Sequence, residues 1–136
     1  MTDIFLDTDI IIDFLGDRRP FSKFAAQIFV GAHNGKFRLH TSSNSVTTAY
    51  YILSKNVDDK KARSLITDLL DFIQVIPVTE KILRHALNSD FSDFEDAVQH
   101  HSALTIDKIK FIITRNLRDY KKSQIKAISP EQLFSN

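Results

Sequence analysis

The feature that most constrains this fold is an apolar segment interrupted by acids near the amino terminus, IFLDTDIIIDFL at residues 4–15. Three apolar residues precede Asp7, and three isoleucines follow Asp9. Apolar runs of this length are typical of a strand buried on both faces that turns directly into a helix. Asp7 is therefore predicted at the carboxyl end of a strand, the edge where parallel α/β sheets bind ligands. A carboxylate there either caps the following helix or belongs to a functional site.

Composition indicates an ordinary soluble globular protein, with 136 residues of which 43% are hydrophobic and 26% charged. This length suits a single domain spanning residues 1–136. The absence of cysteine excludes disulfides and thiolate metal sites. We expect a cytoplasmic protein without a membrane partner, because we find neither a signal peptide nor an apolar run approaching the roughly 20 residues of a membrane span. The net charge of +1 means that nucleic acid must be bound through a local basic cluster.

Periodicity predicts strands that alternate with helices. After the first strand, strands are predicted at residues 37–41, 74–78, 110–114 and 125–128. Helices are predicted from near Asp9, from a cap at Ser22, at 42–55, 57–73 and 79–87, at 92–104 with Ser92 as cap, and from Pro130. Such alternation requires a parallel sheet with right-handed crossovers. The predicted fold is a three-layer α/β/α sandwich with a central parallel sheet of about five strands.

Carboxylates are predicted to converge where the first and fourth strands end. Asp7 follows the first strand, and Thr114 ends the fourth, shortly before Asn116 and Asp119. The helix at 92–104 leads into the fourth strand from the opposite end of the sheet, so its amino terminus should lie at the same edge as Asp7. Its first turn carries Asp93, Glu95 and Asp96. Three separate segments thus direct acids at one place.

Clustered carboxylates repel one another unless a cation neutralises them. Oxygen ligands without cysteine suit Mg²⁺ or Mn²⁺, which activate water for phosphodiester hydrolysis. Basic side chains near the acids are candidate contacts for RNA phosphates: Arg115, Arg118, Lys121 and Lys122. Both sets of residues also have purely structural explanations. The helix dipole stabilises acids in a first turn, and Asn116 and Asp119 are residue types that form turns. His100 and His101 lie on the helix body and are predicted to be surface or packing residues.

Three segments together resemble the PIN domain family, in the branch that includes bacterial VapC-like toxins. They are D-T-D-x-x-x-D-F-L at 7–15, F-E-D-A-V-Q at 94–99 and I-T-R-N-x-x-D-Y at 113–120. The resemblance covers essentially the whole chain. It implies a Mg²⁺- or Mn²⁺-dependent ribonuclease, often the toxin of a toxin–antitoxin pair. Such toxins commonly form homodimers and are silenced by an antitoxin protein.

The resemblance assigns site residues by position. Asp7 matches the first acid of the family and Asp96 the third. Asn116 stands where many members have Asp, and Asp119 is the acid just beyond it. We therefore expect Asp7, Asp96 and Asp119 to hold the cation and Asn116 to support them, with Asp93 as a further candidate ligand.

Two departures from the family pattern reduce the number of acids. Thr48 occupies the position of the usual second acid, a Glu, and Asn116 is neutral. Asp9 stands where the family usually has Asn, which would hydrogen-bond to organise the first acid. Asp9, Thr48 and Thr114 are thus expected to support the site rather than to bind the cation directly.

Two alternatives remain open from the sequence. A PIN-fold module that binds RNA or protein without cleaving is favoured by the missing Glu and by Asn116. A phosphoaspartyl receiver or a hydrolase with Asp7 as nucleophile is compatible with the acids at 7–9. The sequence lacks the Lys that receivers place at the end of a later strand, which argues against a receiver.

Overall fold

A central parallel sheet organises the molecule, which is a computed structural model describing residues 1–135. Five strands are hydrogen-bonded in the order β3-β2-β1-β4-β5, and each neighbouring pair is parallel. The strands are β1 (Thr2–Leu6), β2 (Phe37–Ser42), β3 (Ile73–Ile76), β4 (Ile109–Ile113) and β5 (Lys126–Ile128). This sheet confirms the predicted parallel α/β architecture.

Helices cover both faces of the sheet. They are α1 (Thr8–Leu15), α2 (Ser22–His33), α3 (Ser43–Leu53), α4 (Asp59–Leu70), α5 (Glu80–Leu87), α6 (Phe94–Ala103) and α7 (Pro130–Phe134), with a 3-10 helix at Leu117–Tyr120. On one face, Ile4 and Leu6 pack with residues of α1 and α2. On the other face, Phe5 packs with Ala103 of α6. Among residues 1–135, no helix has both the length and the apolar character needed to cross a membrane.

The position of β1 decides where the site can form. The chain proceeds from β1 to β3 towards one edge of the sheet and then returns to place β4 on the other side of β1. In open α/β sheets, such a reversal of strand order leaves a crevice beyond the carboxyl ends of the two strands. Asp7, after β1, and Thr114, after β4, therefore flank this crevice.

Two predicted helix caps are wrong. Ser22 is the first residue of α2, whose N-cap position is Phe21 without a side-chain hydrogen bond. The cap of α6 is Asp93 rather than Ser92, because the Asp93 Oδ1 accepts the Asp96 N–H at 2.9 Å. A capping side chain must reach the N–H two or three residues further on, and Asp93 has that register.

Close packing between α2 and β2 gives a test of the fold. A Cβ added to Gly31 would lie 2.7 Å from two carbons of the Phe37 ring. We expect Gly31→Ala to lower the free energy of unfolding by about 1–3 kcal/mol, because overpacking outweighs the preference of helices for Ala. Urea unfolding measures this change. In a Phe37→Leu background the loss should be smaller, and an equal loss in both backgrounds would contradict the packing.

Candidate active site at the carboxyl edge of the sheet

Asp7 is buried at this edge, with only 6% of its surface exposed. It is the N-cap of α1, and its Oδ1 accepts the Thr8 N–H at 2.8 Å. The same oxygen accepts the Gln99 amide at 3.2 Å, and its Oδ2 accepts the Thr114 hydroxyl at 2.8 Å. Burial raises the pKa of Asp7, and these three hydrogen bonds partly offset that effect. The capping explanation and the site explanation therefore apply to the same carboxylate.

Asp96 lies in the first turn of α6 and is 9% exposed. Burial, followed by repulsion from Asp7 and Asp93, raises the pKa of Asp96 to about 8. Asp119, on the 3-10 helix, also raises the pKa of Asp96, through a side-chain hydrogen bond and its charge. The three acids expected to hold a cation thus come from three segments and interact at one edge.

Asp93 and Asp9 have partners of their own. The Asp93 Oδ1 accepts the Asp96 N–H, so one oxygen of the Asp93 carboxylate is used to cap α6. Asp9 accepts the backbone N–H of Arg115 through Oδ2 at 3.0 Å, while its buried Oδ1 has no partner among residues 1–135. Burial, followed by repulsion from Asp7, raises the pKa of Asp9 to about 7.

The turn after β4 holds the remaining predicted residues. The Asn116 N–H donates to the Thr114 hydroxyl at 3.0 Å, and the Asn116 amide donates to the Asp119 carboxylate. Arg118 and Lys121 are exposed on this turn. Asn116 therefore orients an acid of the site, and the two cations flank that acid on the surface.

Arg115 differs from the expected RNA contact. Its guanidinium forms two hydrogen bonds with Asp13, at 2.7 and 3.1 Å, and lies 3.8 Å from the centre of the Phe21 ring. Asp13 is 1% exposed and also pairs with Arg18 at 2.9 Å. Because a buried carboxylate is costly without such partners, Arg115 is committed to holding Asp13.

Sequence reasoning missed a buried polar network behind Asp7. Gln99 is 1% exposed, donates to Ser45, accepts the Ser42 hydroxyl, and so links α6 to the start of α3. The Ser45 hydroxyl also bonds to the Thr8 hydroxyl at 2.8 Å. Thr48, which the resemblance places at the position of the family's second acid, lies half-buried one turn further along α3. One available signal was that Gln99 follows Asp96 by three residues, which places both on one helix face.

Oxygen donors dominate the site, which suits Mg²⁺ or Mn²⁺ chemically. Burial, followed by repulsion from Asp7, raises the pKa values of both Asp9 and Asp96, as expected where carboxylates cluster without a bound cation. The residues therefore fit a divalent cation in type and charge. In the described part of the chain, however, no three Asp, Glu or His side chains already form a cluster that could hold one.

A fold and site of this kind define a PIN domain. A profile described as PIN domain matches residues 3–118, and the chain belongs to this family. Within it, the chain falls in the VapC branch: it is 34% identical over 102 residues to Ribonuclease VapC1 of Aquifex aeolicus, covering 71% of this chain and 70% of the relative. The family predicted from the three motifs is therefore confirmed.

Solved structures share the fold at low sequence identity. VapBC2 of Rickettsia felis, bound to a promoter DNA fragment, aligns with a TM-score of 0.67 and 14% identity over 94% of this chain and 98% of that chain. VapC20 of Mycobacterium tuberculosis, described as a sarcin-ricin loop cleaving toxin, aligns with a TM-score of 0.64 and 16% identity over 80% of this chain and 86% of that chain. These likenesses confirm the α/β/α fold.

The raised pKa values predict that the metal-free protein loses stability as pH rises. Asp96 binds its proton more tightly in the folded chain, with a pKa of about 8, than at its ordinary value of 3.8. The stability that the folded chain gains from protonated Asp96 is therefore fully present below about pH 4 and is lost as pH rises through about 8. Asp96→Asn removes the titrating group, so it should flatten the fall and raise the Tm at pH 8 by about 2–6 °C.

Thermal unfolding in chelator at pH 5 and pH 8 measures this difference. Asp107→Asn, which changes an exposed carboxylate after α6, is the control and should behave like the unchanged protein. If Asp96→Asn were as sensitive to pH as this control, the destabilising burial of the Asp96 charge would be refuted.

Proposed function

We propose that this chain is a divalent-cation-dependent endoribonuclease and the toxin of a toxin–antitoxin pair. The observation that carries the proposal is that Asp7 and Asp96, two buried acids from separate segments, lie close together at one edge: burial and then repulsion from Asp7 raise the pKa of Asp96. These positions match the first and third acids of the PIN family. Similarity to Ribonuclease VapC1 supports RNA as the substrate.

Asp7, Asp96 and Asp119 are the proposed cation ligands. When bound, Mg²⁺ or Mn²⁺ supplies positive charge that polarises the phosphate and lowers the pKa of a water molecule. Thr114, Gln99 and the Thr8 N–H fix the direction of the Asp7 carboxylate. Such preorganisation is effective because no donor has to reorient during the reaction.

Three further residues have supporting roles in this proposal. Asp93 positions Asp96 by capping α6, and Asn116 positions Asp119 through its amide. Asp9 ties the first turn of α1 to the backbone of Arg115 after β4. Each residue therefore acts through a neighbouring side chain or segment.

Exposed cations beside Asp119 are the proposed RNA contacts. Arg118 and Lys121 are free to approach phosphates on either side of the cleaved bond, and such contacts position a strand without reading its sequence. Arg115 is excluded from this role because Asp13 holds its guanidinium.

Protein partners complete the proposed function. Relatives were solved as a VapBC2 assembly on DNA and as a toxin–antitoxin complex from Klebsiella pneumoniae. By analogy with these complexes we propose that this chain binds a cognate antitoxin. The family resemblance and the sequence analysis are the basis for also proposing a homodimer and a cytoplasmic location. Exposed apolar side chains such as Val30 and Phe72 offer surface for such contacts.

A second candidate is a PIN-fold module that binds RNA or protein without cleaving it. The reduced acid set favours this candidate, since Thr48 and Asn116 replace acids of the family.

Removing either central acid tests the cleavage site. We expect Asp7→Asn and Asp96→Asn each to lower Mg²⁺-dependent RNA cleavage by roughly 100-fold or more, because each removes one negative ligand of nearly unchanged shape. Cleavage of labelled RNA, with circular dichroism to check folding, measures the loss. Asp107→Asn is the matched control, and full activity in both site variants would refute the assignment.

Metal uptake separates the two candidate functions. Calorimetric titration with Mn²⁺ should give binding to the unchanged protein and a loss of roughly tenfold or more in affinity for Asp96→Asn, because one carboxylate ligand is missing. A folded protein that takes up no Mn²⁺ at millimolar concentration would instead favour the non-cleaving module.

A further inference from the structure

A cavity of about 420 Å³ lies outside the acidic site, between α5, α6 and residues 122–124. Its lining includes His85, Asn88, Phe91, His101, Lys122 and Gln124. We call it the imidazole pocket. The proposed cleavage chemistry uses none of these residues, so their concentration around one cavity needs a separate explanation.

Aromatic rings form much of the imidazole pocket. The Phe91 ring stacks on the buried His100 ring, with centroids 4.8 Å apart. His101 meets His85 edge to face at 5.8 Å. Burial lowers the pKa of His100 to about 4, and burial together with the His85 charge lowers the pKa of His101. Imidazole and phenyl rings are surfaces on which unstacked RNA bases stack.

Polar groups in the pocket match the edges of a base better than a simple anion. Asn88 and Gln124 have amides that donate and accept, and the Asp90 carboxylate can accept from an exocyclic amino group. Lys122 provides one positive charge for a phosphate. A lone anion would be repelled by Asp90, whereas a nucleotide can use the cation, the acceptors and the rings together.

The pocket adjoins the acidic site. Asp96 and His100 are both on α6 and four residues apart, which corresponds to a rise of about 6 Å along the helix. Phe91 packs edge to face against Tyr120 at 5.9 Å, and burial, followed by the charge of Asp7, raises the pKa of Tyr120. One aromatic side chain, Tyr120, thus separates the pocket from the first acid.

From this arrangement we propose that the imidazole pocket holds an unstacked nucleobase of the RNA strand, next to the bond that the acidic site cleaves. The place of this base in the reaction rests on the proposed nuclease function. Binding of the base does not, because the pocket contains no proposed cation ligand. The two ideas can therefore fail separately.

Binding is tested first without metal or cleavage. The chain has 5 histidines, so their imidazole NMR signals can be assigned with single His→Ala variants. Millimolar AMP, GMP, CMP or UMP should shift the His85 and His101 signals for at least one base, while His33 on α2 stays unchanged. Ribose 5-phosphate should give no comparable shift. Shifts with ribose 5-phosphate equal to those with every nucleotide, or no shifts at all, would overturn base binding.

Cleavage kinetics then test the place of the base. We expect His101→Ala and the exposed Lys122→Ala each to raise the KM for RNA roughly tenfold with kcat within about twofold, since stacking and phosphate contacts act mainly on binding. His33→Ala, on the other face of the sheet, is the matched control. An abasic nucleotide at one position beside the cleaved bond should weaken cleavage by the unchanged protein but add little in His101→Ala.

Full, additive losses from the abasic nucleotide and His101→Ala would overturn the placement of the base in this pocket. A chain that binds nucleotides as expected and cleaves no RNA would instead refute the nuclease proposal and leave base binding intact.

Discussion

The buried carboxylate of Asp7 is the constraint on which the site depends. It ends the central strand, where both neighbours of β1 also end, and it is almost wholly removed from water. A charge in that place is tolerated only when polar groups meet it. Those groups come from three parts of the chain: the first turn of α1, α6 and the end of β4. Three segments of the fold therefore meet at Asp7. The carboxylate that caps α1 is also the first acid of the candidate site.

The chain buries acids in two distinct ways. Asp13 is as deeply buried as any acid here, but Arg18 and Arg115 neutralise it. Among the residues that the structure describes, neither Asp9 nor Asp96 forms a side-chain ion pair of this kind, and burial followed by repulsion from Asp7 raises the pKa of each. A protein selected for stability alone would pair or remove such groups. The unpaired acids therefore indicate function, whereas the paired acid connects α1 to the segment after β4.

Periodicity and the strand-end argument were sufficient for the sheet, its layers and the edge where the acids meet. They were not sufficient for the polar network, because Gln99 meets Ser42 and Ser45 only after three distant segments pack. Arg115 shows the same limit: its sequence neighbours suggest an RNA contact, but Asp13, 102 residues earlier, holds it. Local sequence predicts the elements, whereas the partner of a polar side chain depends on the tertiary fold. The roles of the acids in catalysis stay predictions.

The reduced acid set follows a consistent electrostatic logic. The resemblance places Thr48 and Asn116 where the family has acids, so the proposed ligands Asp7, Asp96 and Asp119 supply three negative charges when all are ionised, closer to balance with one divalent cation than a full family set. The Asn116 amide donates to Asp119 and so orients a carboxylate that another acid would repel. Fewer charges lower the repulsion that the metal-free fold must bear, and they also weaken the attraction for a cation. Metal affinity is therefore the property that decides between a nuclease and a binding module, because the fold and the direction of Asp7 serve either one.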